Sequence, residues 1–151
     1  MNLFGKIIPP IDIVTKQTPK DEIGYNFIKD YLTIKFSLDE YLSTQELNQI
    51  IATTKEELVG VRMFRILENS IHCSYTAVKV EERGRSINHM MLLEIEKIAK
   101  LHNITKITSS ARISNYPSNR SLKKSGFILD DEKISEYPNG ETKLHYYKFL
   151  N

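Results

Sequence analysis

The chain has 151 residues, of which 40% are hydrophobic and 26% charged, with a net charge of +2. This is the composition of a soluble globular protein with a sizeable core, most simply one domain spanning residues 1–151, and it excludes a disordered chain. Near-neutral charge removes the bulk electrostatic case for nucleic acid or an anionic membrane as partner. Arg62, Arg65, Arg83, Arg85, Arg112 and Arg120 all fall in the middle of the chain. That placement suits a local anionic ligand better than a long polyanion, with scattered surface charge as the plain alternative. Cys73 is the only cysteine, so neither an intrachain disulfide nor a cysteine-based zinc cluster can form. His89, His102 and His145 show no metal-ligand spacing, and no metal is expected. Pro9, Pro10 and Asp12 interrupt the N-terminal apolar run, which makes a poor signal peptide, and no run approaches membrane-spanning length. The expectation is a cytoplasmic protein with no membrane partner.

Ile11 to Thr15 alternates as a first strand. Pro19-Lys20-Asp21-Glu22 starts a helix whose apolar face is Phe27, Ile28, Tyr31 and Leu32. Ser43-Thr44-Gln45-Glu46 is a capping box, but its helix must be short because Ile50 to Thr54 already reads as a strand. Lys55-Glu56-Glu57 connects tightly to a strand over Leu58–Leu67, and Glu68-Asn69-Ser70 turns into another over Ile71–Val80. Ile87, Met91, Leu92, Ile95, Ile98 and Ala99 recur at helical spacing, with the methionines in the core. Glu94, Glu96, Lys97 and Lys100 take the other side, where Glu96 and Lys100 form a favourable i,i+4 pair. Lys106 to Ile113 is a strand with Ile107, Ser109, Ala111 and Ile113 on one face. Pro117 suits the first turn of a short helix that ends at Gly126. Pro138-Asn139-Gly140 predicts a hairpin with a type I′ turn at Asn-Gly, between strands Lys133–Tyr137 and Thr142–Phe149. This order implies a mixed sheet with helices on its faces.

Two segments carry the chemistry. Glu81-Glu82-Arg83-Gly84-Arg85-Ser86-Ile87-Asn88 follows a strand and opens the long helix. The first N–H groups of a helix lack internal partners and its dipole favours negative charge, so basic and small residues there suit a phosphate or pyrophosphate. An ordinary strand-to-helix turn with solvated arginines fits the octet equally well. The second segment is Asn115-Tyr116-Pro117-Ser118-Asn119-Arg120-Ser121-Leu122-Lys123-Lys124-Ser125-Gly126-Phe127.

In this order and spacing the two segments resemble the GCN5-related N-acetyltransferase (GNAT) superfamily, over roughly residues 48–150. Arg83 to Asn88 resembles its acetyl-CoA pyrophosphate loop, and Asn115 to Phe127 resembles the pattern in which Asn-x-x-Ser-Asn-Arg leads to Gly-Phe. The resemblance implies an α/β fold of the α+β kind, with a mixed, mostly antiparallel central sheet, helices on both faces, and a cofactor-binding core over about 58–130. It implies acetyl-CoA as cosubstrate and transfer of an acetyl group to a primary amine by direct attack on the thioester. Backbone groups near Val78 and Val80 would pair with the pantetheine arm, and the strands Ile71–Val80 and Lys106–Ile113 would splay apart. Arg83, Gly84, Arg85, Ser86, Ile87 and Asn88 would cap the pyrophosphate. Asn115 would contact the pantetheine, and Ser118, Asn119 and Arg120 the adenylate end. Ser86 and Asn88 replace small family residues, and Leu122 replaces the tyrosine that in many relatives protonates the departing thiolate.

The base in many relatives lies on the strand upstream of the loop. Here His72 is the first candidate because imidazole titrates near neutrality, with Tyr75 as acid or core residue. Glu81 and Glu82 are more simply solvated. A Cys73–His72 nucleophile pair is disfavoured because neighbouring strand residues point to opposite faces. Tyr146 and Tyr147 line the acceptor pocket or simply cover the sheet. The acceptor is a small molecule or a protein amine, and a homodimer is an expectation of the fold alone. The rival reading is a non-catalytic acyl-CoA-binding or regulatory module with the same fold.

Overall fold

Runs of β-branched and aromatic residues with alternating burial form the strands, and one strongly periodic segment forms the main helix. The computed structural model of the protein describes residues 11–16, 48–55, 57–82 and 86–151. Among these the elements are β1 (Asp12–Lys16), β2 (Asn48–Thr54), β3 (Glu57–Ile66), β4 (Ile71–Val78), α1 (Ile87–Leu101), β5 (Lys106–Arg112), α2 (Tyr116–Lys124), β6 (Ile128–Glu136) and β7 (Thr142–Phe149). The helix expected from Pro19 with its face Phe27, Ile28, Tyr31 and Leu32, the Ser43–Glu46 box, and Arg83, Gly84 and Arg85 lie outside the described residues.

The strands hydrogen-bond in the order β1-β2-β3-β4-β5-β7-β6. β1/β2, β5/β7 and β6/β7 are antiparallel and β4/β5 is parallel, which gives the mixed, mostly antiparallel α+β sheet expected. The chain divides into two compact units, residues 1–63 with 75–94 and residues 64–74 with 95–151. β3 and β4 run through both.

In the first unit, Gln49 to Ala52 of β2 and Val59 to Met63 of β3 are buried in succession, as strands covered on both faces are. The start of α1 packs here, with Ile87 and Met91 buried. Gly60 makes that approach possible. A Cβ at this position would stand 3.0 Å from Ile87 Cγ2 and 3.5 Å from Met91 Cε. Gly60→Val is therefore expected to cost about 2 kcal/mol by overpacking, despite the better strand propensity of valine, and a urea denaturation midpoint reads it.

In the second unit, Ile95, Ile98 and Ala99 continue the buried stripe of α1. Asn103 (φ 56°) ends the helix in the left-handed conformation, and Ile104 N–H returns to the Ala99 carbonyl at 2.8 Å. The expected Glu96–Lys100 pair gives way to a cross-element one: Glu96 meets Lys148 of β7 at 2.7 Å. Ile107, Ser109 and Ala111 of β5 are buried on one face as expected. Ile113 is not part of that face. β5 ends at Arg112, and Ile113 is an exposed turn residue whose N–H bonds the Thr142 carbonyl at 3.0 Å.

α2 has Pro117 in its first turn and stops at Gly126, which adopts φ +90°, with Phe127 N–H on the Leu122 carbonyl at 3.0 Å. β7 matches the expected range, but β6 starts at Ile128, with an irregular register between Leu129 and Ile134. The expected strand begins only at Lys133, yet an edge strand tolerates the acidic residues that precede it. The hairpin turn also differs from the expected type I′. Gly140 has positive φ and Asn139 does not, Gly140 N–H bonds Tyr137 O at 2.8 Å, and Tyr137 N–H bonds Glu141 O at 2.9 Å. Pro138 fixes the first corner of an ordinary turn, so Gly140 becomes the left-handed closing residue of a three-residue loop.

Candidate active site

The first unit holds Tyr75, Val78, Val80, Ser86, Ile87 and Asn88. β4 ends at Val78, two residues short of the strand expected to Val80. Lys79 keeps the chain tied to β3, with its N–H on the Val59 carbonyl at 2.8 Å and its ammonium on Glu57. The chain then tightens into a single 3₁₀ turn over Val80–Glu82. Of the two positions expected to pair with the pantetheine arm, Val78 is thus strand and Val80 is turn.

Ser86 adopts φ +60° immediately before α1, and its carbonyl accepts Met90 N–H at 2.9 Å. The N–H groups of residues 87–89 accordingly lie outside the intrahelical ladder, as first-turn donors must. A left-handed residue is where glycine is cheapest, and this is a position where the family motif carries glycine. Ser86→Gly is expected to raise stability by about 1 kcal/mol in urea denaturation. Ile87 is buried, and Asn88 is half-buried with its side-chain oxygen accepting from the Arg62 guanidinium. Arg62 is 3% exposed. It escaped assignment in sequence, where its one signal is a lone arginine inside the apolar run Val59–Phe64.

The second unit holds His72, Asn115, Ser118, Asn119 and Arg120. The parallel pairing of β4 with β5 covers Ile71↔Ile107 and His72↔Thr108. At the next position the Ser109 hydroxyl reaches the Cys73 carbonyl at 3.4 Å in place of a ladder pair. The paired register of the two strands ends at His72 and Thr108. His72 Nδ1 lies 2.8 Å from Thr108 Oγ1. Its pKa is lowered to about 4, first by burial and then by Arg65, Lys143, Lys133 and His145. The expectation that His72 titrates near neutrality is corrected: the imidazole is neutral at pH 7.

Asn115 caps α2, its side-chain oxygen accepting Ser118 N–H at 3.2 Å. Asn115 and Arg120 are exposed, and Ser118 is half-buried. Asn119 is different. It is buried, its amide nitrogen donates to the carbonyls of Arg112 (2.8 Å) and Asn115 (2.9 Å), and its oxygen accepts from the Tyr146 hydroxyl at 2.7 Å. Its side chain is thus engaged inside the protein rather than presented to the adenylate end. Leu122 is buried and packs in the core. Tyr146 is a core residue as well, its phenol raised by burial, while Tyr147 is half-buried. Among the described residues no group of three His, Cys, Asp or Glu side chains is placed to hold a metal, and no helix is long and apolar enough to cross a membrane.

The model of the acetyltransferase (GNAT) family matches residues 15–127. The chain belongs to this family. No curated protein matches it in sequence. Its fold is shared with the ribosomal-protein-S18-alanine N-acetyltransferase of Escherichia coli, at 12% identity and a TM-score of 0.78, over 94% of this chain and 95% of that one. A Bacillus subtilis acetyltransferase in complex with CoA aligns at 19% identity and a TM-score of 0.73, over 94% of this chain and 100% of that one. A GNAT acetyltransferase from Elizabethkingia anophelis with acetyl-CoA bound aligns at 17% identity and a TM-score of 0.72, over 93% and 98%.

Proposed function

We propose that this acetyltransferase, acting as a single domain, carries an acetyl group from acetyl-CoA to a primary amine. The observation that carries the reading is the end of the parallel β4–β5 ladder at His72 and Thr108, in a chain of this family. The residues fit the cosubstrate. α1 presents first-turn N–H groups behind the positive-φ Ser86, a geometry that suits pyrophosphate oxygens, and Arg83 and Arg85 precede it in the sequence by three residues and by one. Asn88 supports this turn through Arg62 rather than obstructing it. Val78 closes β4 and offers backbone groups to the pantetheine arm. In the second unit, Asn115 and Ser118 at the start of α2 serve the pantetheine and Arg120 the adenylate end, while Asn119 is a positioning residue.

Bound acetyl-CoA supplies an activated acyl carbon and a good thiolate leaving group. The amine nitrogen forms the new C–N bond as the C–S bond breaks, and one proton leaves the nitrogen. With Nδ1–H donated to Thr108, His72 has its Nε2 lone pair available for that proton. A base of pKa about 4 is weak, but the nitrogen becomes far more acidic as it is acylated, so the demand falls on an amine that arrives neutral. Tyr75 is the companion acid.

Calorimetry of acetyl-CoA and of CoA tests the reading, on wild type and on Arg85→Ala combined with Asn115→Ala. Losing a charge-assisted bond and a pantetheine contact should weaken binding at least about 100-fold, with far-UV circular dichroism unchanged. Wild-type protein that binds neither ligand would remove the enzyme reading. Tight binding without transfer to any amine in a broad acceptor screen would instead favour a non-catalytic acyl-CoA-binding or regulatory module, which the burial of Leu122 in place of a general acid permits.

A further inference from the structure

One face of the second unit carries more positive charge than its own carboxylates offset. Cross-strand pairing sets Arg112 against Lys143, Ser110 against His145 and Thr108 against Tyr147, all on the same face of β5 and β7. His72 joins this face through Thr108, and Ser135 of β6 through its 2.7 Å bond to His145 Nε2. Arg112 is well served, with Glu141 at 3.3 Å and the Tyr137 ring centroid at 3.8 Å. Lys143 has only the edge of such a contact, 5.3 Å from the same centroid. Among the described residues no carboxylate lies within ion-pair distance of Lys143 or Lys133.

The charges feel one another. Burial lowers the Lys143 ammonium, and Lys133 and Arg112 lower it further. His145 is lowered by burial, Lys143 and Lys133, with Asp130 opposing, and His72 by burial, Arg65, Lys143, Lys133 and His145. The half-buried Lys143 ammonium, repelled by Lys133 and Arg112, is costly to hold there unless something negative joins it.

We propose that this face, formed by His72, Ser110, Lys143 and His145 with Lys133 at its margin, binds the anionic group of the acceptor, so that the substrate class is a small amine that also carries a carboxylate or a phosphate. The acceptor half of this inference rests on the acetyltransferase reading. The anion site itself does not.

The imidazole signals of His72 and His145, followed by NMR in the full chain, report occupancy of the face directly. Inorganic phosphate and acetate are titrated against chloride at equal ionic strength. Phosphate, acetate or both should raise the titration midpoints of both histidines beyond the chloride control, and Lys143→Gln combined with Lys133→Gln should abolish the rise. Which of the two anions acts distinguishes a phosphate from a carboxylate ligand. The same signals then compare glycine with glycinamide and phosphoethanolamine with ethanolamine. The anionic member of at least one pair should bind about tenfold tighter or more, as one charge-assisted contact implies. Midpoints that move no further than in chloride overturn the anion site. Midpoints that do move, with neutral and anionic amines bound equally, overturn the acceptor assignment. Absence of acetyl-CoA binding in calorimetry counts against the acetyltransferase reading alone, because the imidazole titration needs no cofactor. Lys143→Gln alone, which keeps the bulk of the side chain, provides the control should the double variant fold poorly.

Discussion

Asn119→Ala is expected to lower stability by about 3 kcal/mol, and the melting temperature by about 6–12 °C. The side chain joins three partners that no other group in the unit brings together: the Arg112 carbonyl where β5 ends, the Asn115 carbonyl at the α2 cap, and the Tyr146 hydroxyl in β7. Truncation leaves the Tyr146 hydroxyl, in a residue 1% exposed, without the acceptor that compensates its burial. Tyr146→Phe should cost only about 1 kcal/mol, since it removes donor and burial penalty together. The double variant should then cost less than the sum, because each change removes the shared bond. Asn119→Asp offers a sharper check. It preserves shape and acceptor but replaces the one nitrogen that makes both donations by an oxygen aimed at the two carbonyls, so it should destabilise at neutral pH at least as much as alanine. Additive losses in the cycle would mean that the Tyr146–Asn119 bond is not formed in solution.

Stability should fall by about 2–3 kcal/mol on acidification from pH 6.5 to 4 through His72 alone. The folded imidazole has its pKa lowered to about 4, first by burial and then by Arg65, Lys143, Lys133 and His145, whereas the unfolded imidazole titrates near 6.5. Between those values the unfolded chain binds the extra proton, so stability rises with pH across this window and is lost as pH falls through it. The shift corresponds to somewhat over 3 kcal/mol at full weight, and partial solvent access reduces it. Urea midpoints at pH 7 and pH 4.5, for wild type and His72→Gln, isolate the contribution because the carboxylates are common to both. Glutamine keeps a hydrogen bond to Thr108 without titrating, so its stability should change less with pH. Parallel curves would show that His72 is hydrated.

The local signals in the sequence were read well and the long-range ones were not. The stripe Ile87–Met91–Ile95–Ile98, the stop at Gly126 and the strand Thr142–Phe149 each depend on neighbours within a few residues, and each stands where it was expected. The misses share one cause, a distant partner that overrides a local rule. Glu96 prefers Lys148 to Lys100 four residues on. The hairpin is the exception, a local miss: Pro138, next to Asn139, claims the first corner of the turn. His72 loses its neutral-range titration first to burial in the fold and then to Arg65, Lys143, Lys133 and His145, none of them its immediate neighbours in sequence. The family resemblance singles out the stretch that ends at Asn88, but only the structure shows that Ser86 takes the backbone shape a glycine would have and that Asn88 answers to an arginine 26 residues upstream.

The Cys73 thiol of β4 is buried in the core, 0% exposed. A thiol reacts as the thiolate and only where reagent can reach it. The folded protein should therefore be silent toward thiol-reactive dyes on the timescale of turnover, so any colour that develops with acetyl-CoA and an amine reports released CoA rather than the enzyme. The same silence makes slow labelling of Cys73 a clock for the transient opening of β4, run without any engineered probe.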